Sequence, residues 1–275
     1  MRSGQVQEVN VTTSGAIAIR LSQIRKDFIT LEGSVYTAVQ DISLDVQAGK
    51  FLSLVGPSGC GKSTILNMTA GLLRPTAGTI RVFGENLDGI NRRSSYMFQQ
   101  ETLLPWKTVL ENVRLGLEFR GCRRPEANER ALVWLARVGL ENFAAHFPHQ
   151  LSGGMRRRAA MAQSWIVDPD IILMDEPFSA LDVQTRIEMQ AELLKLWAGS
   201  GKTALLVTHD LEEAIALSDE VAILSAGPHS RIAARHTVDL PRPRNAMDIR
   251  MEARFAEIYR TVWNVLRTEV LKSHA

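Results

Sequence analysis

The sequence is poor in several features, and each absence narrows what the chain can be. Its 275 residues hold two cysteines, Cys60 and Cys122. That is too few for a disulfide framework, and a reducing cytoplasm suits such usage best. No stretch approaches the roughly 18 uninterrupted apolar residues of a membrane span, so any membrane association must come through a partner. Met1 to Gly15 is polar, without periodicity and without the apolar core of a signal peptide; a loosely ordered leader is expected there. The formal net charge is only +2, with Arg92-Arg93 and Arg156-Arg157-Arg158 the densest basic spots. That balance gives no footprint for nucleic acid, and none is expected as a partner. Internal repeats, low-complexity tracts and heptad runs are missing too.

What is present is ordinary for a globular α/β protein: 45% apolar and 23% charged residues, ample for one large domain. Ala16–Leu21 and Ser43–Val46 alternate apolar and polar residues, as half-buried strands do. Phe51-Leu52-Ser53-Leu54-Val55 reads as a buried strand, and Gly78–Gly84 as a short strand between turns. From about Val109 to Asp168 helical periodicity dominates, notably over Glu126–Val138 and Gly154–Val167. Strand character returns at Ile171–Met174, Thr203–Val207 and Glu220–Leu224, separated by helical stretches as in crossover units. A Pro-broken link, Leu240-Pro241-Arg242-Pro243, leads to an amphipathic helix over about Met247–Thr268.

The most informative segment is Gly56-Pro57-Ser58-Gly59-Cys60-Gly61-Lys62-Ser63-Thr64. It fits G-x-x-x-x-G-K-[ST] and sits between a predicted strand and a helix predicted over Thr64–Leu73. Such a loop turns successive backbone N–H groups toward phosphate oxygens, helped by the partial positive charge of the helix N-terminus. Lys62 suits the β- and γ-phosphates, and the Ser63 hydroxyl suits Mg²⁺. The apolar run Ile171–Met174 ends in Asp175-Glu176-Pro177. A carboxylate there can hold Mg²⁺ through water, which suits Asp175, and Glu176 can polarise an attacking water. Gln99 follows the strand-like Tyr96-Met97-Phe98, where its amide can meet metal or water. His209, after Val207-Thr208, can donate to a γ-phosphate oxygen. Leu151-Ser152-Gly153-Gly154-Met155 precedes a long helix and forms a second N-terminal anion site. One chain has no evident need for two such sites, so the economical reading is service to another copy's nucleotide; the plainer one is a helix N-cap by Ser152.

In this order the motifs resemble the ATP-binding subunits of ABC transporters, from about Ile17 to Leu266. The resemblance implies a P-loop NTPase core of RecA-like α/β type, an antiparallel β subdomain and an inserted helical subdomain at about 100–167. It implies an ATPase domain over 16–235, after the 1–15 leader and before a C-terminal linker and helix over 236–275. It implies Mg²⁺ and ATP as ligands, with the metal near Ser63, Gln99 and, through water, Asp175. Glu176 becomes the general base, His209 the switch histidine, and Ser179-Ala180-Leu181-Asp182 the D-loop. A homodimer follows, each nucleotide lying between one copy's 56–64 loop and the other's Leu151–Met155. Phe28 matches the aromatic that stacks on adenine, although Tyr36 can fill that role and either can be core.

The stretch Phe98–Val113 and the tail Val238–Arg244 resemble importers of nitrate, sulfonates or taurine. That implies transmembrane permease subunits, a solute-binding protein, and a peripheral place on the cytoplasmic face of the cell membrane. Leu103–Trp106 would face the permease, with Trp106 as a core anchor the alternative. An exporter or lipid-transport ATPase shares all the main motifs. A DNA-repair ATPase of the same superfamily would carry coiled-coil or zinc insertions, and a metabolite kinase has no use for LSGGM. One departure stands out: Arg157 occupies a position where the family usually has glutamine, and it is expected on a solvated helix face, with tuning of contact to the partner's nucleotide the alternative. Ser164-Trp165 is also unusual, so local packing is expected to differ.

Overall fold

The computed structural model describes residues 15–273; residues 1–14, almost all of the expected leader, and 274–275 lie outside the described residues. In chain order the strands are β1 (Ile17–Ile29), β2 (Val35–Gln47), β3 (Phe51–Val55), β4 (Ala77–Val82), β5 (Glu85–Asn86), β6 (Ser94–Met97), β7 (Ile171–Asp175), β8 (Thr203–Val207), β9 (Glu220–Leu224) and β10 (Ile232–Thr237). The helices are α1 (Lys62–Thr69), α2 (Val109–Phe119), α3 (Arg124–Arg137), α4 (Gly153–Trp165), α5 (Val183–Trp197), α6 (Leu211–Leu217) and α7 (Ala253–Ser273).

Strands β2-β1-β4-β5 form an antiparallel sheet, and β10-β9-β3-β8-β7-β6 form a second sheet. The second sheet is parallel from β9 to β6, with β10 antiparallel at its edge. Its central strands are buried on both faces, which explains their unbroken apolar runs. Alternate side chains serve different cores. Ile171, Leu173, Leu205 and Val207 join α1 and the antiparallel sheet. Ile172, Met174, Ala204 and Leu206 meet α4 and α5. That split follows directly from the two-residue period of a strand.

The chain between β6 and β7 contains α2, α3 and α4, which gather around Val109, Val113, Leu135 and Ala159. Helix α4 bridges this cluster to the sheet, because Met161 and Trp165 belong to the core beneath β7 and β8. Thr108 and Glu111 start α2 with a reciprocal capping box. Trp165 is buried within the core, so the unusual Ser164-Trp165 pair is a packing feature.

Several boundaries differ from the sequence reading. Helix α1 ends at Thr69 rather than Leu73, since Gly71 has φ +72° and a Cβ there would lie 1.8 Å from the Gly89 carbonyl oxygen. The last helix starts at Ala253, after a turn of 3-10 helix at Ile249–Met251. β10 was not foreseen; it is a short edge strand whose side chains are alternately half-buried and exposed. Trp106 is 71% exposed and is not a core anchor, whereas Leu103 is buried.

Candidate functional site

Strand order assembles the site. β3, β8, β7 and β6 are consecutive neighbours and all parallel, so their carboxyl ends lie on one edge. Those ends lead in turn into Gly56–Gly61, Thr208-His209, Asp175-Glu176 and Phe98-Gln99. Neighbouring strands are about 4.8 Å apart, so four segments distant in sequence fall within about 15 Å. Ligand crevices of open α/β sheets form at this edge.

The loop after β3 closes on its own lysine. Lys62 Nζ donates to the carbonyls of Gly56 (2.9 Å) and Pro57 (3.0 Å), holding a buried ammonium inside the loop. Gly61, at φ +92°, is the left-handed residue that starts α1, and a Cβ there would lie 2.5 Å from Val39 Cγ1. The site therefore requires glycine for both conformation and space. Cys60 is buried behind the loop, and burial pushes its thiol pKa up. A cleft of ≈ 360 Å³ opens over Ser58, Gly59, Lys62, Ser63 and Thr64, with Phe28, Tyr36 and Glu176 also on its wall. Phe28 and Tyr36 are directly opposed on β1 and β2 and are 38% and 40% exposed, so both aromatic candidates stand at the mouth.

The carboxylates lie across from the loop. Ser63 donates its hydroxyl to Asp175 Oδ1 at 2.9 Å, tying the start of α1 to the end of β7. The Tyr96 phenol oxygen is 3.2 Å from Asp175 Oδ2 and 2.9 Å from Asn67 Oδ1. A phenol has one proton, so both contacts are hydrogen bonds only if Asn67 turns its NH₂ toward Tyr96. Burial raises the Asp175 pKa, while the Ser63 and Tyr96 donors pull it back down. Glu176 has φ +43°, an unfavourable conformation for a long side chain, and its N–H is fixed on the Val207 carbonyl at 2.8 Å. Its Oε2 accepts from Gln99 Nε2 at 3.2 Å and lies 3.1 Å from His209 Nδ1. One carboxylate oxygen thus gathers the ends of β6, β7 and β8.

Leu151–Met155 lies apart from this cleft, at the start of α4. Leu151 is buried; Ser152 is exposed and caps α4 by accepting from the Met155 N–H at 3.3 Å. Its hydroxyl proton remains for a further acceptor. Cβ atoms at Gly153 and Gly154 would lie 3.8 Å from Leu181 Cδ2 and 3.0 Å from Thr185 Cγ2. The Leu151–Met155 and Ser179–Asp182 segments of one chain are therefore packed side by side. Asp182 caps α5 by accepting from the Thr185 N–H at 3.0 Å, and these hydrogen bonds hold its pKa down. Ser179 donates to the Glu176 carbonyl at 3.1 Å, and Ala180 is exposed.

Arg157 does not lie on a solvated face. It is 6% exposed, and its two terminal nitrogens donate to the carbonyls of Phe98 and Gln99, each at 3.1 Å. The segment leaving β6 has no strand partner for these carbonyls, and a side chain reaching across from α4 supplies one. Burial pulls the guanidinium pKa down, with nearby Glu101 opposing the shift.

The ABC transporter family profile matches residues 39–179, about half of the chain, including the 56–64 loop and Asp175-Glu176. The chain belongs to the ABC transporter family. It is an ATP-binding subunit of that family and an ATPase. An uncharacterized ABC transporter ATP-binding protein of Methanocaldococcus jannaschii is 44% identical over 94% of this chain and 94% of its own length. A taurine import ATP-binding protein of Rhizobium johnstonii is 40% identical over 90% of this chain and 96% of its own length. Its counterpart in Yersinia pestis is 47% identical over 70% and 75%, respectively. Among solved structures, a dimeric ATP-binding cassette in a post-hydrolysis state bound to ADP and Pi superposes with a TM-score of 0.71 at 33% identity. The superposition covers 81% of this chain and all of that one.

Two contacts of this ABC subunit were missed by sequence reasoning. The sequence around Tyr96 signals only a strand, yet strand alternation places it on the same face as Phe98, and their ring centroids are 4.2 Å apart. No local signal announces that its hydroxyl reaches Asp175 across β6 and β7. The Arg157 clamp was flagged by the departure from glutamine, but its direction depends on where α4 lies against the end of β6.

Proposed function

We propose that this chain energises solute import across the cytoplasmic membrane by ATP-dependent dimerisation coupled to a permease. The observation that carries the reading is Glu176 Oε2, which meets Gln99 at 3.2 Å and His209 at 3.1 Å. The neighbouring Asp175 holds Ser63 of the phosphate loop at 2.9 Å. In this reading Gly56–Thr64 binds the triphosphate, with Lys62 exchanging its contacts with the Gly56 and Pro57 carbonyls for phosphate oxygens. Glu176 is the general base, His209 donates to the γ-phosphate, and Phe28 or Tyr36 stacks on adenine. The 16–235 unit carries the ATPase, with about 100–167 as the segment that moves.

Ser63, Gln99 and Asp175 offer hydroxyl, amide and carboxylate oxygens, a hard donor set that fits Mg²⁺. Bound there, Mg²⁺ would neutralise phosphate charge. Ser63, Gln99 and, through water, Asp175 would hold it, and Tyr96 would keep the Asp175 carboxylate oriented. Hydrolysis is phosphoryl transfer to water, a reaction catalysed mostly by positioning and electrostatics.

Ser152, Gly153 and Gly154 would complete the partner copy's nucleotide site. Charge-assisted hydrogen bonds to a phosphate are worth about 1.5–3 kcal/mol each, enough over two sites to make closure depend on the γ-phosphate. Loss of that phosphate removes acceptors from His209 and Ser152, and the dimer opens. Support for dimer formation comes from the solved cassettes, which are described as dimeric. Support for import comes from the taurine import relatives, and the favoured solute is taurine, a sulfonate, nitrate or a related small molecule. The exposed Trp106 suits contact with permease subunits, which would receive solute from a binding protein and hold this chain peripherally at the cytoplasmic face.

The test pairs hydrolysis with uptake. Glu176→Gln should bind MgATP but hydrolyse it at least about tenfold more slowly. In cells lacking the native chain, wild type should restore uptake of labelled taurine, an alkylsulfonate or nitrate, and Glu176→Gln should not. Wild-type turnover in the variant would reject Glu176 as base. Uptake of all three unaffected by removing the chain would reject taurine, alkylsulfonates and nitrate as the solute.

A further inference from the structure

Helix α4 is bound to the Gln99 segment by two adjacent arginines. Arg157, one turn into the helix, forks onto the consecutive carbonyls of Phe98 and Gln99 at 3.1 Å each. Arg156 reaches Glu101 Oε1 at 2.6 Å and the Leu151 carbonyl at 2.6 Å, joining the same segment to the residue before Ser152. The other end of Gln99 is fixed too, because its side-chain amide donates to Glu176 Oε2 at 3.2 Å. A continuous set of contacts therefore runs from the N-terminus of α4, through the Gln99 backbone, to Glu176.

The chemistry of Arg157 suits this task. A guanidinium is planar and carries separate donors in a fixed fork, so it can hold two adjacent carbonyls at once. A glutamine has one terminal nitrogen on a shorter stem, and a lysine offers a single point charge without a fork. Burying a guanidinium is also costly compared with a neutral amide, and nearby Glu101 offsets only part of that cost. The burial is nevertheless complete enough to leave Arg157 only 6% exposed. Satisfying the two carbonyls explains why a donor lies there; holding both at once in a fixed fork explains why it is an arginine.

We propose that Arg157 is a positioning residue that locks the Gln99 backbone to α4, so that Gln99 and the Ser152 end of the helix move as one body. The inference rests on the roles given above to Gln99 and Ser152. With Arg157 in place, displacement of α4 by a partner's nucleotide is transmitted to the amide that touches Glu176. Without it, Gln99 samples other positions and the Glu176 carboxylate loses an orienting donor.

A double-mutant cycle in the full chain tests this, using MgATP hydrolysis and binding of a fluorescent ATP analogue. Arg157→Ala should lower kcat about five- to twentyfold while KM and analogue binding stay within about twofold. Arg157→Lys and Arg157→Gln should be intermediate, and either can carry the cycle if the alanine variant fails to fold. Gln99→Ala should lower kcat as well, and adding Arg157→Ala should cost nothing further, because both changes act through one contact. Multiplicative losses in the double variant would overturn the proposal while leaving the Gln99 role intact. An Arg157→Ala variant with raised KM and unchanged kcat would also overturn it. Wild-type turnover in Gln99→Ala would remove the Gln99 role and this proposal together.

Discussion

Glu213, in the first turn of α6, is a buried carboxyl placed directly behind the His209 segment. Thr208 Oγ1 and Gln190 Nε2 donate to it, yet burial dominates and pushes its pKa from an ordinary 4.5 to about 7. Asp210 adds to the rise. The folded protein therefore binds this proton more tightly than the unfolded chain. Its stabilising contribution is complete below about pH 4.5 and is lost as pH rises through about 7. Glu213→Gln keeps a neutral side chain of similar shape at every pH. Thermal melts from pH 5 to about 8 should show wild type losing stability relative to this variant as pH rises. A constant difference between the two curves would mean that folding does not raise the Glu213 pKa. At the same scale, the positive φ of Glu176 and the burial of Arg157 are properties of single residues that neighbours impose.

Among the elements, helix starts carry much of the site. Ser152, Asp182 and Asp210 cap α4, α5 and α6 with side-chain oxygens, each accepting from the backbone N–H three residues on. Such a cap is worth about 1 kcal/mol, so the N-cap reading of Ser152 and the phosphate-donor reading are compatible. The hydroxyl accepts inside the helix and still has a proton to give. Ser152→Arg should leave nucleotide binding by the isolated chain within about twofold and abolish ATP-dependent dimers in a Glu176→Gln background, as followed by light scattering. Persistence of those dimers would reject the shared site, and so would loss of binding by the isolated chain. The end of α6 shows the opposite polarity: Arg244, buried, donates to the carbonyls of Ile215, Ser218 and Leu240. Burial, with Arg242 nearby, lowers its pKa to about 10. The Pro-broken link is thereby fastened beneath the helix whose first turn holds Glu213.

Across the whole molecule, the Glu176 carboxylate and the exposed Trp106 lie at the two ends of one short path. Gln99 touches Glu176, and the chain then passes the buried Leu103 to reach Trp106 and the capped start of α2. No helix among the described residues is long and apolar enough to cross a membrane, and in the proposed import role the exposed Trp106 is the surface offered to a permease. Trp106→Asp should leave the melting temperature and the ATPase activity of the isolated chain nearly unchanged, since the side chain makes little core contact. Solute uptake in cells should fall at least about fivefold. Full uptake with this variant would exclude Trp106 from the permease contact.

The fold class and the main motifs were legible because they are local. Strand β3 is an uninterrupted apolar run, the 56–64 loop is a fixed spacing, and Asp175-Glu176 ends another apolar strand. The two-residue period of strands and the demand for glycine at Gly61 are backbone properties that a sequence carries on its face. Convergence is a different matter. Gln99, Glu176 and His209 meet because β6, β7 and β8 lie side by side, and strand order is set by packing between distant segments. Arg157 shows the limit most clearly. Its neighbours in sequence are charged and helical, which reads as a solvated face, but α4 turns that face against the carbonyls of Phe98 and Gln99. The sequence determined that a phosphate-binding α/β ATPase would form; the tertiary structure decided which backbone the buried arginine would hold, because only packing brings unpaired carbonyls within reach of its donors.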